Sequence, residues 1–529
     1  MHPALSISEL LNIIFAHLDQ RSNLNNARVC KQWYHSSQAA RWREINGWRD
    51  FDALFRKLAP IKWVDYMNKR KEFSEYPRLK DWERFEEYSK LVRTISLDDS
   101  EKYNAIFDIV GQTRPYINIF PNLYTLQWNA TRKEFHYLLF VHPNVKEFIA
   151  TLPPTSTRQA EFETWVPLFV DSISRMPLLQ HLEIRCDEFE PTTRHRLLEV
   201  IKGLRCLRTI LLPRYHITAR IIEEVSLLPH LKKLSSQETG IDRTIFTFPQ
   251  FDPCLRKEAF PSLTTLSICA DVQSSSQFLS QRYFPSNIRR LHLEMPSLEN
   301  PGAVRSLLET VAGTCTLIEE VSFRDQDVHD HREMTPQDQI GLETLRPVFA
   351  CPMLTTLEIR HHYPLALGTP ELEILASELP SIETLLLNEG PIHHPERSPL
   401  TLDVLLIFSS RCRKLQKLGL YVDASVSITH VLDGQEFHGF PELRSFSVGL
   451  SHIEDAESVA LFLGQICPPN CEVALAGPET RSVRRNMWRK VNGMLPTLAK
   501  MRLAERERIG KQVRMLEVEV ERLRALQRS

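Results

Sequence analysis

A short pattern of spaced leucines, which we name the leucine phrase, recurs along most of the chain and predicts its strands and helices. Each copy places a turn residue, often Pro or Cys, before the pattern L-x-x-L-x-L, in which apolar and polar positions alternate as in a β-strand. Clear copies occupy 121–128, 177–184, 204–212, 261–268, 286–293, 352–359, 380–387, 412–420 and 441–448, and weaker ones start at Val92, Val145, Leu231 and Ile318. Amphipathic runs precede many copies, as in 303–313, 371–379 and 403–411. The pattern therefore predicts repeated units of helix, turn and strand.

The spacing of these units decides between two architectures. The first apolar residue of each copy serves as a marker, and the markers are on average about 29 residues apart, at the upper end of the range for leucine-rich repeats. Because one strand–helix pair cannot cover its own apolar face, the units must stack into a curved solenoid with a parallel sheet. A doubly wound α/β domain is the alternative, and thirteen phased copies argue against it. We predict an α/β fold with a leucine-rich-repeat solenoid over 91–476.

The turn position eight residues after the marker suggests that the array is irregular. Regular repeats have Asn there, whose amide group both donates and accepts hydrogen bonds. This chain has other residues at that position, among them Asp187, Asp271, Asp423 and Ser451. These side chains accept bonds from backbone amides but do not reproduce the two-way bonding of Asn.

The first 45 residues are rich in apolar positions at helical spacing and predict three short helices. The positions concerned are Leu10, Leu11, Ile14, Phe15, Leu18, Leu24, Val29, Cys30, Trp33, Trp42 and Ile45. Ser6 and Glu9 have the spacing of a capping box for the first helix. Forty residues cannot bury so much apolar surface within themselves, so either the rest of the chain or a second protein must cover it.

The order of these residues resembles the F-box. The resemblance rests on E-L-L-x-x-I-F-x-x-L from Glu9, V-C-K-x-W from Val29, and the closing Trp42, and it covers about 40 residues of the 529. One position departs from the family, which usually has Pro where this chain has Ser8. The resemblance implies binding to a Skp-type adaptor that connects to a cullin scaffold of a ubiquitin ligase. By residue matching, it implies adaptor contacts at Leu10, Leu11, Ile14, Phe15, Leu18, Leu24, Val29, Cys30 and Trp33.

Three other regions differ from the repeats. The charged and aromatic segment 46–90 predicts a stiff helical connector, and the segments 235–260 and 324–342 interrupt the repeat rhythm. Residues 477–529 are basic and predict a C-terminal helix, with a coiled-coil stripe over 509–523. Such a helix either caps the last repeat or associates with a second copy or another helix. Pro496 and Gly510 are expected to interrupt it.

The composition argues against a nucleic-acid-binding, membrane-associated or disulfide-bonded protein. The net charge of −1 gives no overall field for nucleic acid, and the basic C-terminal segment lacks interleaved aromatic residues. No stretch resembles a signal peptide or a run of eighteen apolar residues, so we expect no membrane association. The ten cysteines are scattered without a C-x-x-C pair, which indicates free thiols in the cytoplasm or nucleus.

Candidate chemistry is sparse. The glycine-rich motifs that hold phosphates or catalytic serines do not occur in the sequence. The pairs His361–His362 and His393–His394, with His329 and His331, are the candidate metal ligands. Neighbouring side chains on a strand point to opposite faces, so such a pair cannot chelate one ion there. We therefore expect no cofactor, no metal and no catalytic activity.

The sequence thus suggests the substrate-receptor subunit of a cullin-type ubiquitin ligase, with the repeats holding an unidentified protein substrate. Outward-facing strand positions are the candidate substrate contacts: Arg185, Glu294, Arg324, Arg360 and Tyr421. The alternative is a protein-interaction scaffold unrelated to ubiquitin ligases, in which the first helices dock on the rest of the chain.

Overall fold

The computed structural model describes most of the chain, namely residues 7–65, 70–130, 135–152, 159–186, 191–237, 250–296, 300–325, 339–391, 397–425, 439–449, 451–475 and 483–528. The helices are α1 (Ser8–Ala16), α2 (Gln20–Asn26), α3 (Lys31–Trp42), α4 (Trp48–Phe55), α5 (Leu79–Ser89), α6 (Asn104–Thr113), α7 (Gln159–Ile173), α8 (Pro191–Gly203), α9 (Ala219–Val225), α10 (Val272–Leu279), α11 (Pro301–Thr314), α12 (Leu342–Leu345), α13 (Thr369–Glu378), α14 (Val404–Arg411), α15 (Ala456–Ile466) and α16 (Val483–Arg528). The strands are β1 (Glu44–Asn46), β2 (Ile61–Asp65), β3 (Arg70–Phe73), β4 (Thr94–Asp98), β5 (Thr125–Asn129), β6 (Glu147–Thr151), β7 (His181–Arg185), β8 (Thr209–Pro213), β9 (Lys233–Gln237), β10 (Thr265–Cys269), β11 (Arg290–Met295), β12 (Glu320–Asp325), β13 (Thr356–Arg360), β14 (Thr384–Leu387), β15 (Lys417–Leu420), β16 (Asp423–Ala424), β17 (Ser445–Ser447), β18 (His452–Ile453) and β19 (Glu472–Ala474).

The described residues form two compact units: the first contains the residues up to 237 together with 253–263, and the second contains 250–252 together with the residues from 264 onward. In the first unit, the parallel strands follow the order β1-β4-β5-β6-β7-β8-β9. In the second unit, the order is β10-β11-β12-β13-β14-β15-β17-β19, again parallel. Helices connect most neighbouring strands. The α/β fold of stacked strand–helix repeats, with three short helices at the start and a C-terminal helix, is confirmed.

The leucine phrase predicts the repeat strands well. All thirteen markers precede a strand of the parallel sheets by two residues, as Leu263 precedes β10 and Leu354 precedes β13. The apolar positions of the phrase face the interior, and Leu266 and Ile268 of β10 are fully buried. Strands β1 and β19 were not foreseen, because their sequences lack the spaced leucines of the phrase.

The interpretation of 46–90 as a helical connector needs correction. Strand β1 pairs with β4, so this segment is the connection between two neighbouring strands, and the sheet begins at Glu44, ahead of the predicted solenoid start at residue 91. The segment also contains the antiparallel hairpin β2–β3 between its two helices. Lys71 of the hairpin holds it in place, since its ammonium group lies 2.8 Å from Asp52 of α4 and 2.9 Å from the hydroxyl group of Tyr103.

The C-terminal helix is longer than predicted. Helix α16 runs through Pro496 and Gly510 over 46 residues. Its first half is stabilised by packing on α15, because four apolar side chains at helical spacing are fully buried there: Trp488, Val491, Leu495 and Ala499. Gly464 permits this close contact, since a Cβ at that position would lie 2.8 Å from the Cβ of Leu498. Tertiary packing thus overrides the local cost of Pro496, whereas Gly510 lies in the second half of the helix, beyond this contact.

An Asn side chain does both accept and donate hydrogen bonds to the backbone, but at a position other than the one expected from the repeat pattern. Asn388 follows β14 with a positive φ of 52°, a backbone conformation that Asn tolerates better than most residues. Its side-chain oxygen accepts from the amide of His361 at 3.1 Å, and its side-chain nitrogen donates to the carbonyl of Tyr363 at 2.6 Å. At the predicted position, Asp271 caps α10 and the Ser451 hydroxyl accepts from the amide of Val422. The expected irregularity of the turns is therefore present, while Asp187 lies outside the described residues.

The two segments that interrupt the rhythm are described only in part. Residues 250–260 place Phe251, Leu255 and Phe260 in the interior, whereas 238–249 and 326–338 lie outside the described residues. None of the helices in the described part of the chain combines the length and apolar character needed to cross a bilayer.

Replacing Asn388 with Ala should destabilise the second unit strongly. The change leaves the buried backbone amide of His361 without its acceptor and removes a hydrogen bond from the part-buried Tyr363 carbonyl, so we expect the free energy of unfolding to fall by about 2–4 kcal/mol. Chemical denaturation followed by circular dichroism measures the effect. Asn122→Ala is the control, because Asn122 is exposed and its bond to the Lys90 carbonyl is replaced by water at a cost below about 1 kcal/mol. Equal effects of the two changes would contradict the assigned role of Asn388.

Candidate functional site

The first three helices form a small core of their own. Leu11 and Phe15 of α1 are 0% and 2% exposed, and α1 packs on α3. The Phe15 ring meets the Trp33 ring edge-on with centroids 5.3 Å apart. Asn23 of α2 closes the end of α1, because its side-chain amide donates to the Phe15 carbonyl at 2.9 Å. Leu11 and Phe15 thus hold the helices together and do not face outward.

Another face of the same helices carries apolar side chains toward solvent. The exposed residues of this face, which we name the N-terminal apolar face, are Ile7, Leu10, Ile13, Ile14, Leu18, Leu24, Val29 and Cys30. On α1 they occupy the arc beside Leu11 and Phe15, as the spacing of 3.6 residues per turn requires. Leu24 belongs to α2, and Val29 and Cys30 belong to the turn before α3. Monomeric proteins rarely expose contiguous apolar surface of this kind unless it binds something.

The predicted adaptor contacts therefore divide into two groups. Leu10, Ile14, Leu18, Leu24, Val29 and Cys30 are exposed, as adaptor contact requires. The assignment of Leu11 and Phe15 needs correction, since both are sealed inside the three-helix core, and Trp33 is half-buried against Phe15. Ile7 and Ile13 were missed, although their helical spacing from Leu10 and Ile14 would have indicated them.

The start of α1 differs from the expected capping box. Ile7 is the residue that precedes the helix, in extended conformation, and no side chain caps it there. Ser6 lies outside the described residues. The Ser8 hydroxyl accepts a bond from the Gln32 side chain at 3.4 Å, which connects the first turn of α1 to α3. Helix α1 thus begins at Ser8 without the Pro that the F-box family usually has there.

The other end of the module is attached to the first unit. Trp42 at the end of α3 is buried and meets the ring of Tyr88 in α5 edge-on at 5.9 Å. Arg41 forms an ion pair with Asp50 of α4 at 3.1 Å. These contacts fix α3 to the connection between β1 and β4 and leave the N-terminal apolar face exposed.

A second candidate site is a row of polar residues on the sheet of the second unit. Glu294, Arg324 and Arg360 are direct neighbours on β11, β12 and β13. Glu358 connects the two arginines: its carboxylate lies 2.9 Å from Arg324 and 2.6 Å from Arg360, and it accepts from the Ser322 hydroxyl at 2.7 Å. Burial disfavours the charged form of Glu358, but the charges of Arg324 and Arg360 and their hydrogen bonds outweigh it and lower its pKa. Both guanidinium groups are thus held in fixed positions by a buried carboxylate.

The five predicted substrate contacts differ in exposure. Arg360 is half-exposed, and Arg185 of the first unit is similarly exposed beside Glu183, 2.6 Å away. Arg324 is less exposed, because it packs along Glu358. The predictions for Glu294 and Tyr421 as surface contacts are wrong, since both are buried. Glu294 accepts from the Cys269 thiol at 3.7 Å, and the ring of Tyr421 lies in the interior after β15.

The pair His361–His362 does not lie on a strand. His361 and His362 follow β13 and have different surroundings: His361 contacts Tyr363, and the ring nitrogen Nδ1 of His362 lies 2.9 Å from Asp325. His329, His331, His393 and His394 are outside the described residues. Within the described ranges, no three His, Cys, Asp or Glu side chains are grouped closely enough to hold a metal ion.

No protein-family model matches the chain, and no curated protein sequence matches it. Among solved structures, it is similar to a chain in the crystal structure of the TLR13–ssRNA13 complex, with a TM-score of 0.33 and 12% identity over 75% of this chain and 47% of that one. It is also similar to a chain in the crystal structure of the Rad7 and Elc1 complex in yeast, with a TM-score of 0.31 and 12% identity over 90% of this chain and 91% of that one. The chain spans less than half the length of the first of these.

The ion-pair cluster around Glu358 should show a characteristic dependence on pH. Because the folded protein lowers the pKa of Glu358 below its ordinary 4.5, the stabilisation is complete above pH 4.5 and is lost as the pH falls through the lower, folded-state value. Glu358→Gln should reduce the free energy of unfolding by about 2–3 kcal/mol at neutral pH, and the difference from the wild type should shrink below pH 4.5. Denaturant titrations at a series of pH values measure it.

A matched control is the exposed pair of Glu373 and Arg411, 2.9 Å apart on neighbouring helices. Glu373→Gln should change stability by less than about 1 kcal/mol at any pH. A Glu358→Gln effect that does not vary with pH would contradict the cluster's ionic character.

Proposed function

We propose that this protein is the substrate-receptor subunit of a cullin-based ubiquitin ligase. In this proposal, the N-terminal apolar face binds a Skp-type adaptor, which connects to the cullin, and the repeats bind a protein substrate. The observation that carries it is the exposure of Leu10, Ile14 and Leu24 on helices whose own core is already closed by Leu11 and Phe15. The proposal also rests on the resemblance of residues 5–45 to the F-box.

The energetics of the exposed face favour a second protein as its cover. Burying a fully exposed Leu, Ile or Val side chain contributes about 1.5–3 kcal/mol, and partly exposed ones contribute less. The N-terminal apolar face holds seven partly exposed Leu, Ile and Val side chains on α1, α2 and the residues beside them. A partner that covers most of them gains enough to offset the entropy lost on association. Leu11 and Phe15 support this binding indirectly, since they set the position of α1 on α3.

The protein would act through proximity, without making or breaking covalent bonds itself. Binding both the ligase and the substrate raises the local concentration of substrate lysines near the transfer site. The candidate substrate contacts that are exposed are Arg185 and Arg360, with Arg324 beside the latter. Guanidinium groups held in place by carboxylates lose little entropy when they bind a partner.

Replacing Ile14 with Lys should abolish adaptor binding without unfolding the protein. Ile14 is 42% exposed, so a Lys is accommodated in the free chain, but it would bury a charge in the complex. We expect the dissociation constant for a purified Skp-type adaptor, measured by calorimetry, to rise at least about 100-fold. The matched control is Ile374→Lys, because Ile374 lies on α13 of the repeats and is 43% exposed.

Two outcomes would contradict the proposal. Adaptor binding by the wild type that survives Ile14→Lys would mean that the N-terminal apolar face is not the contact. Failure of the wild type to bind any Skp-type adaptor would favour the alternative, a protein-interaction scaffold without a ligase. Circular dichroism of both variants checks that the repeats remain folded.

A further inference from the structure

The second half of α16 leaves the body of the second unit. The last anchor is Arg502, whose guanidinium group donates to the carbonyls of Gln465 and Cys467. Up to this point four apolar side chains of the helix are fully buried, whereas from Leu503 to Val520 almost every described side chain is exposed. The portion from 503 to 528 is about 39 Å long at 1.5 Å per residue. An isolated helix of this length is only marginally stable in water, so a partner would stabilise it.

The exposed portion has the heptad pattern of a coiled coil. Residues 509, 513, 516, 520 and 523 are separated by alternating steps of four and three, and all are apolar. They place Val513 and Val520 at the a positions, and Ile509, Leu516 and Leu523 at the d positions. Ile509, Val513, Leu516 and Val520 are exposed in the single chain. A stripe of this kind fits the same stripe on another helix by interlocking side chains.

We propose that this stripe joins two copies of the chain in a parallel, two-stranded coiled coil over 509–523. The choice of two strands rests on residue shape, because β-branched Val at a with mainly Leu at d favours parallel dimers over trimers and tetramers. Self-association through a repeat-free helix is independent of the adaptor, so the inference goes beyond the proposed function.

The charged residues beside the stripe indicate whether two copies of the helix would pair in parallel or antiparallel orientation. Position g holds Glu519 and the following e position holds Arg524, both exposed. In a parallel pair, Glu519 of one copy lies next to Arg524 of the other, and symmetry repeats this attraction. An antiparallel pair that packs residues 513–523 of the two copies against each other would instead place Glu519 beside Glu519 and Glu517 beside Glu517. Charge complementarity therefore favours a second copy in parallel orientation.

Dimerisation would have a consequence for a receptor. Two copies joined through their C-terminal helices present two substrate surfaces, and a substrate with two binding segments is then held more tightly than by either surface alone. The seam has only about two heptads, so the dimer should dissociate on dilution, with a dissociation constant in the micromolar range of about 1–100 μM.

Sedimentation equilibrium of the full chain tests the proposal, with a matched pair of variants. Val520→Glu places a charge in the seam and should raise the dimer dissociation constant at least about 100-fold. Val518→Glu is the control, because Val518 is two residues away on the outer side of the coiled coil at position f, and it should change the constant by less than about 3-fold. Val520 and Val518 are 45% and 66% exposed, so neither change disturbs the folded single chain.

A charge exchange tests the direction. Glu519→Arg and Arg524→Glu should each weaken the dimer by about 3- to 10-fold, since each creates like-charge neighbours, and the double variant should recover the wild-type constant. A chain that remains monomeric up to about 100 μM overturns the proposal, whether or not α16 binds another protein or anionic vesicles. Equal effects of Val520→Glu and Val518→Glu overturn it as well, and a double variant no tighter than the singles overturns the parallel arrangement.

Discussion

A strand–helix repeat cannot cover its own apolar side chains, and the rest of this structure follows from that constraint. Each buried pair such as Leu357 and Ile359 needs the neighbouring repeats on both sides, and the parallel register of the strands supplies them. The last repeat of an array lacks a neighbour on one side, so another element must cover its apolar side chains. At the C-terminal end, α16 provides the cover: Trp488 donates to the Ser451 carbonyl at 2.9 Å, and Asn492 accepts from the amide of Val473 at 2.7 Å.

In the first unit, the three short helices cover the start of the sheet with only one of their sides. Helix α3 is anchored through Trp42 and Arg41 to the elements around β1. Leu11 and Phe15 fill the space between α1 and α3, so the inner side of the module is complete. The aliphatic side chains on the remaining arc of α1 and on α2 stay partly exposed. That division of α1 into a structural side and an exposed side is the physical basis of the proposed adaptor site.

Much of the fold could be predicted from the sequence, because the leucine phrase indicates which strand residues face the interior and which face the surface. The phrase located the strands of the parallel sheets from β4 to β17 but missed β1 and β19, whose sequences lack the spaced leucines. The hairpin β2–β3 was missed because its aromatic and charged residues fit a helix equally well, and only the contacts of Lys71 reveal its place. The continuity of α16 through Pro496 was missed because packing on α15, which local propensity ignores, decides it.

The candidate sites were less predictable for a different reason. Helical spacing shows that Leu10, Leu11, Ile14 and Phe15 belong to one apolar helix, but it does not show which of them face the helix's own neighbours. Strand alternation likewise assigns Glu294 and Arg360 to the same face, although only Arg360 is accessible. Accessibility depends on residues distant in sequence, such as Glu358 holding two arginines from its own and the neighbouring strand.

The central claim is that the exposed side of the first helices is a binding surface, and amide hydrogen exchange with and without a Skp-type adaptor tests it most directly. The account predicts slower exchange of amides in α1, α2 and the first turns of α3 when the adaptor is present, with the repeat strands unchanged. Unchanged exchange in α1 and α2, or slower exchange confined to the repeats, would contradict it.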